Sequence, residues 1–433
     1  KKAETEAPTE AVTEAAAETE AESEAAAETE AESEAAAETE AESAAAEETE
    51  TESDAAAETE AESDASDGTE EKTVSADSVI KIGVFEPLTG ENGGGGVQEM
   101  QGAQYANEQR PTVTIDGTEY TVELDVVDNK SDKTEAVTAA QKLVSDGVVA
   151  VLGTYGSGAA IAAGPTFAEA KIPAIGCSCT NPQVTAGCEY YFRVCFLDPF
   201  QGSVMAQYAY EEGYTKVAVI DQLGDDYSMG LANFFIKHFT EFQTNQSDFK
   251  AILTEVKASG AEAIFAPSSI TTAPLLIKQA KELGIDAPFM AGDTWYNTTI
   301  IDNAGAENAE GMVCSTFFDE ADTSSEVTNS FVTGFKEWLN EDSSRIENNG
   351  GNDSIVGNTA LCYDAYNVVC DALEAAGSTD GETLKNALHE IEMEGVTGMI
   401  TFDEIGDAEK DTAYISMVKD GKFEFLKTVT VEE

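Results

Sequence analysis

The chain has 433 residues, with 84 Asp plus Glu against 23 Lys plus Arg, and a formal charge of −61. A surface that acidic repels phosphates along most of its length, which excludes a binder of nucleic acid or anionic lipid. The charge is uneven: residues 1–77 hold 28 acids and 3 lysines, while the remaining 356 residues have an ordinary globular composition, long enough for about two domains.

The acidic arm comes first. It repeats a ten-residue unit, AAAETEAESE from Ala15 and Ala25, with a near copy from Ala35. It has no aromatic residue, and Val12 and Val74 are its only larger aliphatics. With no apolar face to bury, it cannot offset the entropy of ordering. Ala and Glu favour helix, but Glu pairs four apart repel. A disordered tether over 1–77 is predicted, spanning roughly 50 Å r.m.s. as a flexible coil and more with self-repulsion. Its simplest role is a soluble spacer; loose Ca²⁺ capture by its acids is the competing reading. No run of about 18 apolar residues occurs, so no membrane-spanning helix is predicted.

From residue 78 the pattern alternates. Residues 80–85 read as a strand, 97–108 as a helix, 120–127 as a strand ending at Asp128, and 134–144 as a helix. Then come a buried apolar run at 148–152, a helix at 159–170 and a short strand at 172–175. The cycle restarts with a strand at 216–220, helices at 227–239 and 249–259, a strand at 263–266, a helix at 274–283 and a strand at 288–291. The fold class is α/β, with two doubly wound parallel sheets covered by helices. Ligands of such sheets bind beyond the carboxyl ends of the strands. The loops at 86–97, 153–158, 176–182, 221–230, 267–272 and 292–297 are rich in Ser, Thr, Asp, Tyr and Gly. That composition suits holding a small polar molecule better than transforming it.

Catalytic parts are missing. The seven cysteines (177, 179, 188, 195, 314, 362 and 370) include no C-x-x-C pair, and His238 and His389 form no H-x-x-x-H pair, so zinc-site spacing is absent. Buried free thiols are predicted, with a disulfide inside 177–195 left open. Gly93–Gly96 follows a strand but does not fit G-x-G-x-x-G, and no phosphate loop with G-K-[ST] is present. Gly156-Ser157-Gly158 lacks the G-x-S-x-G elbow. No cofactor, metal or catalytic residue is predicted.

At the strand-end loops the sequence resembles the extracytoplasmic solute-binding proteins of amino-acid ABC transporters, of the leucine/isoleucine/valine type. The matching stretches include IKIGVFEPLTG (80–90), VVDNKSD (126–132), VLGTYGSGAA (151–160), IPAIGCSCTNP (172–182), FLDPFQG (196–202), DDYSMG (225–230), PFMAGDTW (288–295) and GMITFDEIGD (398–407). The resemblance implies a type I periplasmic-binding-protein fold. Lobe one would be 78–198 plus 318–412 and lobe two 199–317 plus 413–433, with hinge crossings near Asp198, Phe317 and Ala413. It implies capture of an amino acid and its delivery to an ABC permease, with a signalling receptor module as the alternative and an enzyme less favoured. It also implies a protein held outside the cytoplasmic membrane by an N-terminal lipid anchor upstream of the tether, in the Gram-positive manner.

The resemblance carries site residues too. It implies Ser157 on the ligand carboxylate, a backbone group at Ser178, the hydroxyl of Thr180, Tyr227 closing over the backbone atoms, and Asp293 on the ammonium. Gly95 stands where leucine-type members have a lid Trp, and Ser269 where they have an aromatic. Both replacements are expected to remove apolar area from the side-chain subsite, which Trp295 or Tyr296 would line. Structural roles compete. Ser157 suits a helix cap, Asp293 and Thr180 suit turns, and Tyr227, Trp295 and Tyr296 suit core packing. The chain also has about ten fewer residues between Gly230 and Phe249 than the family norm, so either an edge strand of lobe two is lost or the stretch near residue 242 is not given in full.

Overall fold

The computed structural model describes residues 78–238, 249–322 and 325–430. The tether at 1–77, its Ca²⁺ reading and the shortened stretch near residue 242 lie outside the described residues. The first stretch contains β1 (Val79–Glu86), α1 (Gly93–Gln109), β2 (Thr112–Ile115), β3 (Thr118–Asp128), α2 (Lys133–Asp146), β4 (Ala150–Leu152), α3 (Ser157–Ala170), β5 (Ala174–Gly176) and β6 (Tyr191–Arg193). The second contains α4 (Asp198–Glu211), β7 (Val217–Val219), α5 (Asp226–His238), α6 (Phe249–Ser259), β8 (Ala263–Phe265), α7 (Ala273–Glu282), β9 (Phe289–Ala291), α8 (Thr298–Ala304), α9 (Ala306–Ala309) and β10 (Val313–Thr316). The third contains α10 (Glu326–Glu341), α11 (Ser343–Asn348), α12 (Gly357–Ala376), α13 (Gly381–Leu388), the small ribbon β11 (Met393–Gly395) and β12 (Gly398–Ile400), then β13 (Thr412–Lys419) and β14 (Lys422–Thr430).

The apolar runs form the middle of two six-stranded sheets, ordered β2-β3-β1-β4-β5-β6 and β14-β13-β10-β9-β8-β7. The neighbours of β1, β4, β5, β8 and β9 are parallel, whereas β2, β13 and β14 pair antiparallel. Alternation along β1 sends Ile82 and Val84 to one face and Phe85 to the other. Ile82 and Val84 share a core with Leu361, Tyr366 and Val369 of α12, and Phe85 joins Leu143 of α2 and Phe167 of α3. Both faces are therefore covered, which is why these strands read as continuous hydrophobic runs.

After β10 the chain returns to the first sheet. Phe331, Phe335 and Trp338 of α10 pack around Tyr105 of α1, with ring centroids 5.4–6.1 Å away. It then passes back through β13 into the second sheet, so the connections between the sheets number three. These are the parallel-sheet lobes of the predicted α/β fold.

Two predicted boundaries move. Gly93–Gly96, read as loop, is the first turn of α1. Propensity argues against glycine there, but a Cβ on Gly96 would lie 2.1 Å from Pro87 O and one on Gly102 would lie 2.2 Å from Thr359 O. The helix passes so close to its neighbours that packing overrides propensity. Strand β2 was not predicted. It pairs with β3 through Asp116-Gly117, both at positive φ (48° and 77°), the Asp-Gly hairpin signal that 115–118 carried all along.

All seven cysteines are free, and six are buried. The disulfide left open within 177–195 is not formed.

Candidate functional site

The strand ends aim six loops at one place. Asn92, Tyr155, Gly156, Ser157 and Ser178 from the first lobe meet Asp225, Tyr227, Ser269 and Thr294 from the second around a cavity of about 20 Å³. Polar contacts between the lobes close over it. Asn181 Nδ2 donates to Asp226 O (2.8 Å), Gln222 Nε2 to Glu91 Oε2 (2.8 Å) and Asn297 Nδ2 to Gln98 Oε1 (2.9 Å). Lys133 Nζ pairs with Asp226 at 2.8 Å. A space of this size holds about one water molecule, so a larger ligand needs the lobes to part.

The first-lobe side is built around α3. Gly156 occupies the N-cap and Ser157 is the first helical residue, so Ser157 is not the cap. Its Oγ instead accepts from Asn181 N at 3.1 Å, tying the helix start to the loop after β5. The early N–H groups of this 14-residue helix point at the cavity side with the positive end of its dipole. Ser178 Oγ donates to Glu99 of α1. Thr180 is fully buried beside Asp198 and does not line the cavity.

A buried ion pair holds that loop. Arg193 Nε donates to Asp407 Oδ1 at 2.7 Å, Nη1 to Cys179 O (2.9 Å) and Asn181 O (2.5 Å), and Nη2 to Thr185 Oγ1 (3.1 Å). One guanidinium thus fixes the main chain on both sides of Thr180.

The second-lobe side is anionic. Asp293 opens a short turn over 293–295, as the structural reading had it. Its Oδ1 also accepts from Gln201 Nε2 (2.7 Å) and Tyr227 OH (3.0 Å). Burial raises its carboxyl to about 6, against the pull of those two donors. Burial likewise raises Asp225 to about 6, and Asp225 accepts from Tyr227 N. Tyr227 both packs in the core and lines the cavity, with its hydroxyl held by Asp293. Gly292 is required beside it, because a Cβ there would lie 2.4 Å from Tyr227 OH.

The expected side-chain subsite is rearranged. A Cβ on Gly95 would lie 2.6 Å from the Tyr155 ring, so Tyr155 occupies the space a residue at 95 would fill. Apolar area expected to be lost at Gly95 is supplied from another loop. Ser269 does line the cavity and donates to Thr272 Oγ1 at 2.9 Å. Trp295 does not line it. It is fully buried against Phe289 and donates Nε1–H to Ser268 Oγ, so its role is packing. Tyr296 packs at a tilt against Phe423 (ring centroids 4.5 Å) and is also outside the lining.

Sequence reasoning passed over Asn92, Tyr155, Asp225 and Thr294. Each lay in a strand-end loop already marked, so position was the available signal. It also passed over Glu86 and Glu99, which are fully buried behind the cavity. Burial raises both carboxyls, Glu99 to about 7. Nothing in their local sequence distinguishes them from other acids.

A cleft between two parallel-sheet lobes, lined by hydroxyls and carboxylates and lacking a nucleophile–base pair, defines a protein that holds a small polar solute. The chain belongs to the periplasmic binding protein family, whose match covers residues 79–422. It is similar to a Leu/Ile/Val-binding protein homolog of Brucella abortus, 29% identical over 81% of this chain and 94% of that protein. A leucine-, isoleucine-, valine-, threonine- and alanine-binding protein of Pseudomonas aeruginosa is 28% identical, over 77% of this chain and 88% of its own. Among solved structures, a leucine-binding protein of Thermotoga maritima shares 34% identity at a TM-score of 0.75, covering 81% of this chain and 99% of its own. The branched-chain amino acid transporter substrate-binding protein of Streptococcus pneumoniae, in complex with isoleucine, shares 29% at 0.72, over 82% and 99%. Among the described residues, no helix is long and apolar enough to cross a membrane.

Proposed function

We propose that this protein captures an amino acid or similarly small zwitterion between its lobes and delivers it to an ABC transporter permease. The observation that carries the reading is the polarity of the cleft. Asp225 lines the cavity together with Gly156 and Ser157 at the start of α3, and Asp293, outside the lining itself, holds the hydroxyl of the lining residue Tyr227. An ammonium is matched by the carboxylates and a carboxylate by the N–H and O–H donors. In a closed cleft each charge-assisted bond contributes about 1.5–3 kcal/mol.

In this reading Asp293, Tyr227 and Ser157 contact the ligand, Ser178 and Ser269 border it, and Thr180 acts through the loop it sits in. The lobes are 78–198 plus 318–412 and 199–317 plus 413–433, hinged near Asp198, Phe317 and Ala413. Residues 1–77 are the spacer between the lobes and a lipid anchor on the outer face of the cytoplasmic membrane. A thermal-shift panel over the common amino acids tests the capture. At least one is expected to raise the melting temperature, and no shift at millimolar concentration rejects the amino-acid assignment.

A further inference from the structure

Behind the cavity, oxygen and sulfur donors converge with no base among them. Glu86 ends β1, Glu99 lies in α1, Cys177 follows β5 and Cys362 lies on α12. All four are fully buried. One donor atom from each of Glu86, Cys177 and Cys362 lies within 4.8 Å of the other two. Glu99 borders this trio, in contact with the Glu86 carboxyl and the Cys177 thiol. Glu86 Oε1 and Glu99 Oε2 find no hydrogen-bond donor outside this cluster. Their other oxygens are held from outside, Glu86 Oε2 by Tyr155 N–H (2.8 Å) and Glu99 Oε1 by Ser178 Oγ–H.

We propose that Glu86, Cys177 and Cys362, with Glu99 as the fourth donor, form a binding site for a thiophilic divalent cation of the Zn²⁺ type. Zinc is held by four such donors, at about 2.3 Å from sulfur and about 2.0–2.2 Å from carboxylate oxygen. Donor atoms on a tetrahedron of those dimensions are roughly 3.4–3.8 Å apart. The donors of Glu86, Cys177 and Cys362, already within 4.8 Å of one another, close to that size with small side-chain movements, and Glu99, in contact with Glu86 and Cys177, turns in to complete the set. Two sulfurs disfavour Ca²⁺ and Mg²⁺, which take oxygen, and two carboxylates disfavour Cu⁺. On binding, each S–H bond is exchanged for an S–Zn bond and the proton passes to buffer. Tyr155 N–H and Ser178 Oγ–H are the outer partners that orient the two carboxylates, as outer donors do in metal sites. Tyr155 and Ser178 also line the ligand cavity, so the parted cleft gives the cation its access. C-x-x-C spacing is absent because the ligands come from four separate elements of the first lobe.

The test uses the full chain, purified under reducing conditions and stripped with a chelator. It is dialysed against Zn²⁺ in excess Ca²⁺, which competes for carboxylate-only sites. One zinc per chain is expected by elemental analysis, and Co²⁺ in its place is expected to show thiolate-to-metal charge-transfer absorption. Cys177→Ser and Cys362→Ser are each expected to abolish that absorption and weaken zinc binding at least about 100-fold, the upper end of what losing an outer partner costs. Cys188→Ser changes neither. The wild-type reading stands without the variants: no bound zinc, or zinc without thiolate absorption, overturns the proposal. So does absorption that survives both substitutions, or a Cys177–Cys362 disulfide that is quantitative in a parallel preparation made without reductant.

Discussion

Arg193→Met is the most informative single change. Arg193 is fully buried and makes four hydrogen bonds, to Asp407, Cys179 O, Asn181 O and Thr185. The substitution keeps the apolar stem and removes every donor. Asp407 is left buried without its countercharge, and two loop carbonyls lose their partner. Breaking a buried pair from one side costs about 3–5 kcal/mol, and each orphaned carbonyl adds about 1–3 kcal/mol where water does not reach it. Against a total stability of about 5–15 kcal/mol, the variant is expected to lose a third or more. Urea unfolding followed by circular dichroism measures the loss as a lower midpoint at similar slope. Because the two carbonyls bracket Thr180 and adjoin Ser178, ligand affinity is expected to fall about tenfold in the folded fraction, the effect of roughly 1.4 kcal/mol. The companion Arg193→Met/Asp407→Leu removes the stranded carboxylate and should recover part of the stability but not the affinity. A loss under about 1 kcal/mol in Arg193→Met, with unchanged ligand binding, would refute the reasoning.

Three further outcomes are expected. Burial raises Asp293 and Asp225 to about 6, so their contribution to unliganded stability is present below the ordinary carboxylate range and is lost as pH rises through about 6. Ligand binding by an ionised Asp293 runs the other way, so calorimetric affinity should drop as pH falls from about 7 to about 5, and Asp293→Asn should remove both the drop and most of the binding, by about 1.5–3 kcal/mol. Gly95→Trp should destabilise by about 1–3 kcal/mol through collision with Tyr155; adding Tyr155→Ala should restore part of that loss, and strict additivity in the double-mutant cycle would deny the contact. Cys188 is the only cysteine not fully buried, so a thiol reagent should modify one group in the native protein and all seven in urea; several fast thiols without denaturant would contradict the burial.

Residues 80–85, 249–259 and 288–291 were legible because their periodicity and flanking breakers agree with their final environment. Gly93–Gly96 was not, because helix formation there depends on Pro87 and on the approach of α12, some 260 residues away. At the site, Ser157, Ser178, Tyr227 and Ser269 were named in advance and are brought together in the lining. Trp295 was named and packs elsewhere, since an aromatic after a strand end suits a core as well as a pocket. Tyr155 escaped notice because its role is defined by what position 95 lacks.

The sequence by itself determined the alternation of strands and helices, the placement of the ligand loops at strand ends, the family resemblance and the division of charge between an acidic arm and a binding region. These follow from local pattern, where neighbours in the chain carry the information. Tertiary structure decided which acids matter. The resemblance had already picked out Asp293, but Asp225, Glu86 and Glu99 carry the same formal charge as the chain's other acids, and only desolvation, beside the cleft for Asp225 and beside Cys177 and Cys362 for the two glutamates, separates them. Desolvation is a property of the surroundings assembled from distant segments, and no local pattern in the chain encodes it.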